Sequence, residues 1–302
     1  MFTRSSFNTR SCSQIHPSSA GHETGPLKCA VVALVVLVCL TGPAAQVPLG
    51  DEAAWRAFIT WFKSAPPVRS NPFTAYAASL RAAGTPEVEA RRQVSVLMTM
   101  MRERSDWVEL YYDKIYTIPL TGDPASDGFT TDPSAIVVEA VKGLAPGTAL
   151  DAGMGQGRNA LYLARQGWSV TGFDLSAEAL RAARAYASAA GVQLETVKAS
   201  YADFDYGTAR WDVIVLVFAW APIDDPAFIA RLRTSLRPGG RIVFEHFTDD
   251  PASPRPAVMH ALKPGQLRGL LSDFRLDRYE EVTDLGDWGG PDSQLIRVVA
   301  VK

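Results

Sequence analysis

From about residue 133 onward the chain predicts an α/β fold, a mostly parallel sheet with helices on both faces. Strand-like and helix-like patterns alternate there, which calls for crossover helices that cover the sheet on both sides. Three alternate glycines, Gly153, Gly155 and Gly157, mark the point where the first strand passes into a helix. A further acid, Asp174, closes the next apolar run, 21 residues beyond Gly153.

The elements follow in order. A helix over 133–142 precedes a strand at 148–151. A helix at 159–166 ends at Gly167, and a strand at 168–173 comes next. Ser176 caps a helix over 177–190 that Gly191 closes, by the usual start and stop signals. After a strand at 192–199, Val213 to Phe218 is apolar at every position, as expected of a strand buried on both faces. Asp225-Pro226 opens another helix, and Arg237-Pro-Gly-Gly240 turns into a strand at 241–246. A helix near 264–272 and strands at 274–283 and 294–301 complete the chain.

Upstream, residues 51–120 read as a helical extension or lid to a main domain over 121–302. Trp55, Phe58, Ile59 and Phe62 repeat at i, i+3, i+4 and i+7 on one helix face, and Pro66-Pro67 ends it. Asn71 caps a second helix with Pro72 at its first position. A third starts near Thr85-Pro86, with Val94, Leu97, Met98 and Met101 in one stripe; Met98, Met100 and Met101 can line a substrate pocket, but such methionines more often fill a core. Ser105 caps a fourth, which turns Trp107, Leu110 and Tyr111 inward.

Composition narrows the function classes. Among 302 residues, 47% are hydrophobic and 21% charged, with a net charge of −2 and no basic stripe. No nucleic-acid partner is expected from that distribution. Cys12, Cys29 and Cys39 all precede residue 40, so the body offers no disulfide, thiol nucleophile or thiolate site. With only His246 and His260 in that body, no metal centre is expected. Residues 1–50 form a leader in which Arg4, Arg10 and Lys28 precede the apolar run 29–40 and small residues at Ala44 and Ala45. Three readings stay open: a secretory signal, a short membrane anchor, or a start placed too far upstream. The first two export or anchor the domain, with membrane contact only through residues 29–45; the third leaves it cytoplasmic.

The acid–glycine loop carries the chemistry. Asp151-x-Gly153-x-Gly155-x-Gly157 predicts a sharp turn that leaves N–H groups bare at a helix N-terminus and lets a nucleotide-like ligand approach the main chain. Asp174 is placed to accept from both ribose hydroxyls. A nicotinamide dinucleotide and S-adenosylmethionine both suit such a site. The dinucleotide pattern counted from Gly153 needs a glycine where Arg158 stands; counted from Gly155 it meets Ala160, which is tolerated. Asp151 is foreign to that pattern and suits a ligand with an ammonium and a sulfonium, which favours S-adenosylmethionine.

These stretches resemble the class I S-adenosylmethionine-dependent methyltransferases. ALDAGMGQGRNA and VTGFDLS are similar to the family's first two motifs, RWDVIVLVFAW to its fourth strand and LRPGGRIVFEHF to its fifth. The Gly-Arg-Asn-Ala wording is similar to the small-molecule enzymes of the tellurite-resistance and thiopurine type. The resemblance implies a Rossmann-like sheet of seven strands, the last antiparallel, and S-adenosyl-L-methionine as cofactor. It implies that Asp151, Gly153, Gly155 and Gly157 hold the methionine end and that Asp174 binds the ribose. Ser200 and Tyr201 would face adenine, Tyr201 through its backbone N–H, where many relatives carry an acid in place of Ser200. The same carry-over puts Arg158, Asn159, Leu175 and Phe218 beside the cofactor, and Phe129 to Ser134 as a segment covering it.

Methyl transfer is an in-line displacement on an activated sulfonium, so alignment and water exclusion matter most. A base is needed only where the nucleophile carries a proton. His246 can serve as one, although a lone histidine at a strand end is more often simply packed. Trp220 and Glu245 are expected to line the acceptor pocket. No Asn-Pro-Pro-Tyr follows the fourth strand, which disfavours methylation of nucleic-acid bases. The expected reaction is methylation of a small molecule, the acceptor atom being open among oxygen, nitrogen, sulfur and carbon. An NAD(P)-dependent oxidoreductase and a non-catalytic cofactor binder are the alternatives.

Overall fold

Five helices precede the first strand of a seven-stranded sheet among the described residues of the computed structural model, which are 50–67, 71–101, 104–118, 131–248, 262–286 and 290–302. The expected leader lies outside these residues, except Gly50, and so do Phe129 and Thr130 of the covering segment. No helix among the described residues is long and apolar enough to cross a membrane.

The strands are β1 (Thr148–Ala152), β2 (Ser169–Asp174), β3 (Glu195–Lys198), β4 (Trp211–Val217), β5 (Leu236–Phe247), β6 (Arg275–Gly286) and β7 (Gly290–Val301). They lie in the order β3-β2-β1-β4-β5-β7-β6. Strands β1 to β5 pair in parallel, while β7 runs antiparallel to both β5 and β6. The last strand is therefore the reversed one, inserted between β5 and β6. Three elements differ in extent from the sequence reading. Strand β5 starts at Leu236 and not at 241, because Leu236 already pairs with Trp211 before a bulge leads to Val213↔Arg241. Strand β3 shrinks to four residues because it is an edge that pairs only with β2 over Glu195–Lys198. The last hairpin lengthens, since pairing continues past Thr283↔Gln294 to Asp284↔Ser293 and Gly286↔Gly290.

Alternation along the strands builds two layers of core. Leu150 and Ala152 of β1 and Ile214 and Leu216 of β4 face one side. There they meet Phe228 and Leu232 of the helix Pro226–Ser235 and Leu267 of the short helix Gln266–Leu270. Ala149, Val213, Val215 and Val243 face the other side. Helices Ala135–Val141, Arg158–Arg165 and Ala177–Ala190 cover that side through Ile136, Leu163, Leu180 and Ala183. Central β4 needs apolar residues at every step because both its faces are covered. The expected caps form: Ser176 Oγ accepts from Ala179 N–H (3.1 Å), Asp225 Oδ1 from Ala227 N–H (2.9 Å), and Gly191 closes its helix at φ 67°.

The helical layer comprises α1 (Asp51–Ser64), α2 (Pro72–Ala82), α3 (Glu87–Met101) and α4 (Ser105–Tyr116). Its own core is aromatic: Trp55, Phe58, Phe62, Phe73, Tyr76 and Trp107 are buried together with Leu97 and Met101. Phe58 and Phe73 stack at 5.1 Å between ring centroids. Asn71 caps α2 as expected, accepting from Phe73 N–H at 2.9 Å. Two expectations fail. Ser105 is the first residue of α4, with Arg104 at the cap position, and Met98 is 48% exposed while Gln93 takes a place in the buried stripe of α3. Met98 follows Leu97 by one residue, a rotation of about 100° that carries it off the stripe.

Candidate active site

Strand order reverses between β1 and β4, and in a parallel sheet the crevice outside the carboxyl ends at such a point holds ligands. The glycine loop leaves β1 there, Asp174 ends β2, Phe218 to Trp220 follow β4, and Glu245 and His246 lie near the end of β5.

Gly153, Gly155 and Gly157 adopt φ of 72°, 55° and 83°, the left-handed region that favours glycine. Space is short as well: a β-carbon on Gly155 would stand 2.6 Å from the hydroxyl of Tyr116, and one on Gly153 would collide with that of Tyr201. The expected bare N–H groups are not what the loop presents. Gly153 and Met154 both donate to the carbonyl of Phe173, at 2.9 and 3.0 Å. Gly155 N–H donates to Asp174 Oδ2 (2.8 Å), and Gly157 N–H to the carbonyl of Met154 (2.9 Å). The left-handed turn folds the loop onto the end of β2, where these acceptors stand.

Asp174 is thus already engaged, since its Oδ1 accepts from Ser176 N–H at 2.8 Å. Burial raises its pKa, against the pull of the N–H donors of Ser176, Gly155 and Leu175. Asp151 is 3% exposed, and its Oδ2 accepts from Ala160 N–H (3.0 Å) in the first turn of the helix Arg158–Arg165. Burial pushes that carboxyl up to about 7, opposed by the Ala160 N–H and by Arg158. Arg158 donates to the carbonyl of Asp132 (3.1 Å), and Asn159 Oδ1 accepts from Ser134 N–H (2.9 Å). That pair ties the described part of the covering segment to the loop.

Ser200 turns its hydroxyl onto Asp203 Oδ2 (2.6 Å), in a tight turn that also uses Asp203 N–H. Tyr201 sends its side chain under the glycine loop, where the hydroxyl donates to the carbonyl of Ala219 and the ring meets Phe173 edge-on at 5.4 Å.

The β4–β5 side is aromatic and strained. Phe218 and Trp220 both take positive φ, 51° and 47°, which is costly for large side chains. His246 is buried at 4% exposure, edge-on to Trp220 at 4.7 Å, stacked on Phe244 and beside Phe218 and Phe247. Its Nδ1 lies 3.3 Å from the carbonyl of Phe247. Glu245, expected in the pocket wall, is occupied on both oxygens: Ser134 Oγ donates to one (2.6 Å) and Arg297 Nε to the other (2.7 Å). Arg297 also pairs with Asp284 at 2.7 Å.

Helix α4 completes the site through a face to which the sequence reading assigns no role. Glu109, Tyr112, Asp113 and Tyr116 share the face opposite Trp107 and Tyr111, a spacing of i, i+3, i+4 and i+7 that was open to inspection. Asp113 Oδ1 accepts from Ser176 Oγ (2.7 Å) and Glu178 N–H (3.3 Å), while Glu109 pairs with Lys198 at 2.7 Å. Trp220 stands beside the Tyr112 hydroxyl, and the Tyr112 and Tyr116 rings stack at 5.9 Å. Burial lifts both phenols above their ordinary pKa, Tyr116 the more closely held against Asp174. A separate hollow of about 350 Å³, lined by Ala202, Asp205, Tyr206 and Arg231 among others, includes no glycine-loop residue.

Residues 149–240 match a family model described as a methyltransferase domain. A ubiquinone biosynthesis O-methyltransferase of Serratia proteamaculans is 35% identical over 113 residues, 36% of this chain and 46% of that protein. The chain spans about half the length of most curated relatives it matches. TehB from Haemophilus influenzae superposes with a TM-score of 0.50 at 21% identity, over 64% of this chain and 66% of that one. The [4+2]-cyclase SpnF superposes at 0.52 and 17% identity, over 66% of this chain and 96% of that one. Family match and strand order agree: residues 149–240 match the methyltransferase-domain model, within a seven-stranded Rossmann-like sheet that shares the fold of these solved structures.

Proposed function

We propose that the protein is an S-adenosylmethionine-dependent methyltransferase acting on a small-molecule acceptor. The observation that carries this reading is the placement of two acids around one left-handed glycine loop. Asp151 lies beneath the loop and Asp174 across it, at the switch point of a methyltransferase domain. Asp174 exchanges the Gly155 and Ser176 N–H groups for the ribose hydroxyls. Asp151, ionised by the approach of a cation, faces the ammonium of the methionine end. Arg158, Asn159 and Leu175 frame the loop, Phe218 backs the sulfonium, and the turn at Ser200 and Tyr201 borders adenine. When bound, S-adenosylmethionine supplies a methyl group on sulfur as the electrophile. The chain's own task is to align the acceptor and exclude water, with Trp220 and the Phe218–Ala219 turn as the acceptor wall.

His246 sits in an aromatic shell and Glu245 in a paired network, so neither is set up as a general base. This supports an acceptor that reacts without a committed base, or one already ionised. The same observation favours a second reading, cofactor binding without methyl transfer. One structural neighbour is named a cyclase, and a shared fold does not fix the chemistry.

Calorimetry with S-adenosylhomocysteine and with NAD(H) tests the donor: saturable binding of the first supports it, binding of the second alone overturns it. A methyl-donor assay against metabolite extract separates enzyme from binder. Oxygen acceptors are the first panel, given the name of the O-methyltransferase relative.

A further inference from the structure

The turn after β4 carries strain on both sides of one peptide carbonyl. Among the described residues, the non-glycine positions with positive φ are Ala209, Phe218 and Trp220, and the last two flank Ala219. Such conformations are costly and persist only where the surroundings impose them. Phe218 is held on one side, because its N–H donates to the carbonyl of Glu245 at 2.8 Å. Trp220 leans edge-on against His246. Between them the Ala219 carbonyl accepts from the Tyr201 hydroxyl. That oxygen belongs to the planar peptide unit that joins Ala219 to Trp220, so its orientation is coupled to the φ of Trp220.

The hydroxyl that makes this bond is itself fixed in place. The Tyr201 ring stands edge-on to Phe173 of β2 at 5.4 Å and to Phe228 of the helix Pro226–Ser235 at 6.0 Å. The Tyr201 carbonyl accepts from the Tyr206 hydroxyl and from Arg231 Nη1, both at 3.3 Å. The Tyr201 hydroxyl also lies 3.4 Å from the carbonyl of Ala152, the last residue of β1. Gly153 follows, and its missing side chain leaves the hydroxyl room. The end of β1, the segment after β3 and the turn after β4 therefore meet at one phenolic oxygen. The donor reading uses only the backbone N–H of Tyr201 and gives that oxygen no task.

We propose that Tyr201 is a positioning residue: its hydroxyl holds the Ala219 peptide and thereby sets Trp220 in the acceptor wall. This rests on the acceptor-wall reading above. Without the hydroxyl the peptide can turn, Trp220 relaxes toward negative φ, and its ring leaves the wall. Donor binding is spared, because the glycine loop and Asp174 keep their own contacts.

The test uses Tyr201→Phe in the full-length chain, a change that keeps the ring and removes only the hydroxyl. In protein labelled with 5-fluorotryptophan, the Trp220 resonance is assigned by its absence from Trp220→Phe. Tyr201→Phe should shift or split that resonance and leave Trp168, buried on the other face of the sheet, where it was. An unmoved Trp220 resonance overturns the proposal. The rate of methyl transfer from S-adenosylmethionine into metabolite extract should fall about tenfold, with S-adenosylhomocysteine affinity held within about twofold. In a Trp220→Ala background the same change should cost no further rate, since the hydroxyl acts through that ring. Additive losses overturn the proposal, and so does a loss of donor affinity equal to the loss of rate. A parent chain that transfers no methyl group sinks the acceptor reading instead. The resonance tells the two failures apart, because it needs neither donor nor acceptor.

Discussion

The two halves of the crevice are built by different means. On the β1–β2 half, Gly153, Gly155, Asp174 and Ser176 are joined through backbone N–H groups at 2.8–3.0 Å. On the β4–β5 half the contacts are side chain on side chain: Trp220 on His246, Phe218 on Phe247, Glu245 on Arg297 and Ser134. Backbone contacts demand a few residue types at fixed spacing, glycine for φ and an acid for the N–H groups. Packing contacts accept many residues of suitable volume. One half can therefore be read as a motif, and the other has to be seen.

The largest effect expected is on the packed half. Arg297→Ala leaves Glu245 buried at 4% exposure with no cation beside it, at a cost of about 3 kcal/mol to folding. Chemical denaturation measures that loss, and Glu245→Gln in the same background should recover part of it. Donor affinity, measured on folded protein, should stay within about twofold. A parallel loss of donor binding would show that the halves are not separable.

On the backbone half, Asp174→Ala removes the acceptor of two main-chain N–H groups as well as the proposed ribose contact. S-adenosylhomocysteine binding should weaken about 100-fold. Unchanged affinity by calorimetry would refute the ribose assignment. Trp220→Ala then tests the opposite half, with kcat/KM for the acceptor falling about tenfold and donor affinity held, because Trp220 lies on the β4–β5 side against His246. An equal loss in donor binding would merge the two halves into one site.

Legibility followed the same division. Asp225 and Ser176 as caps, Gly191 as a stop, and the apolar run of β4 were plain in the sequence because each is a local requirement. The reversed β7 came from the family resemblance, and pairing across 52 residues to Glu245 left no local mark on Arg297. The loop's N–H groups were misjudged because their acceptors, Phe173 and Asp174, belong to the next strand. Tyr112, Asp113 and Tyr116 carry no local mark for a related reason. Their helix reads as an ordinary amphipathic element, and only its docking on the helix Ala177–Ala190 brings Asp113 to Ser176 and Tyr116 over Gly155. Met98 shows the reverse error, a stripe assigned one residue too wide.

The smallest effect belongs to Asp151, where one carboxyl gives two pH slopes of opposite sign. In the folded chain burial holds its pKa near 7, against an ordinary value of 3.8. Between those values the folded state keeps a proton that the unfolded state has released. The contribution of Asp151 to stability therefore falls as pH rises from about 4 to 7. A cationic donor instead selects the ionised form, so its affinity should climb with pH by up to about tenfold per unit below 7 and level off above it. Calorimetry with S-adenosylmethionine from pH 6 to 8 reads the second slope, and thermal melts from pH 4.5 to 7.5 read the first. Asp151→Asn should flatten both while still accepting from Ala160 N–H. If the melts flatten and the binding slope persists, Asp151 is a structural cap and the ammonium is held elsewhere on the loop.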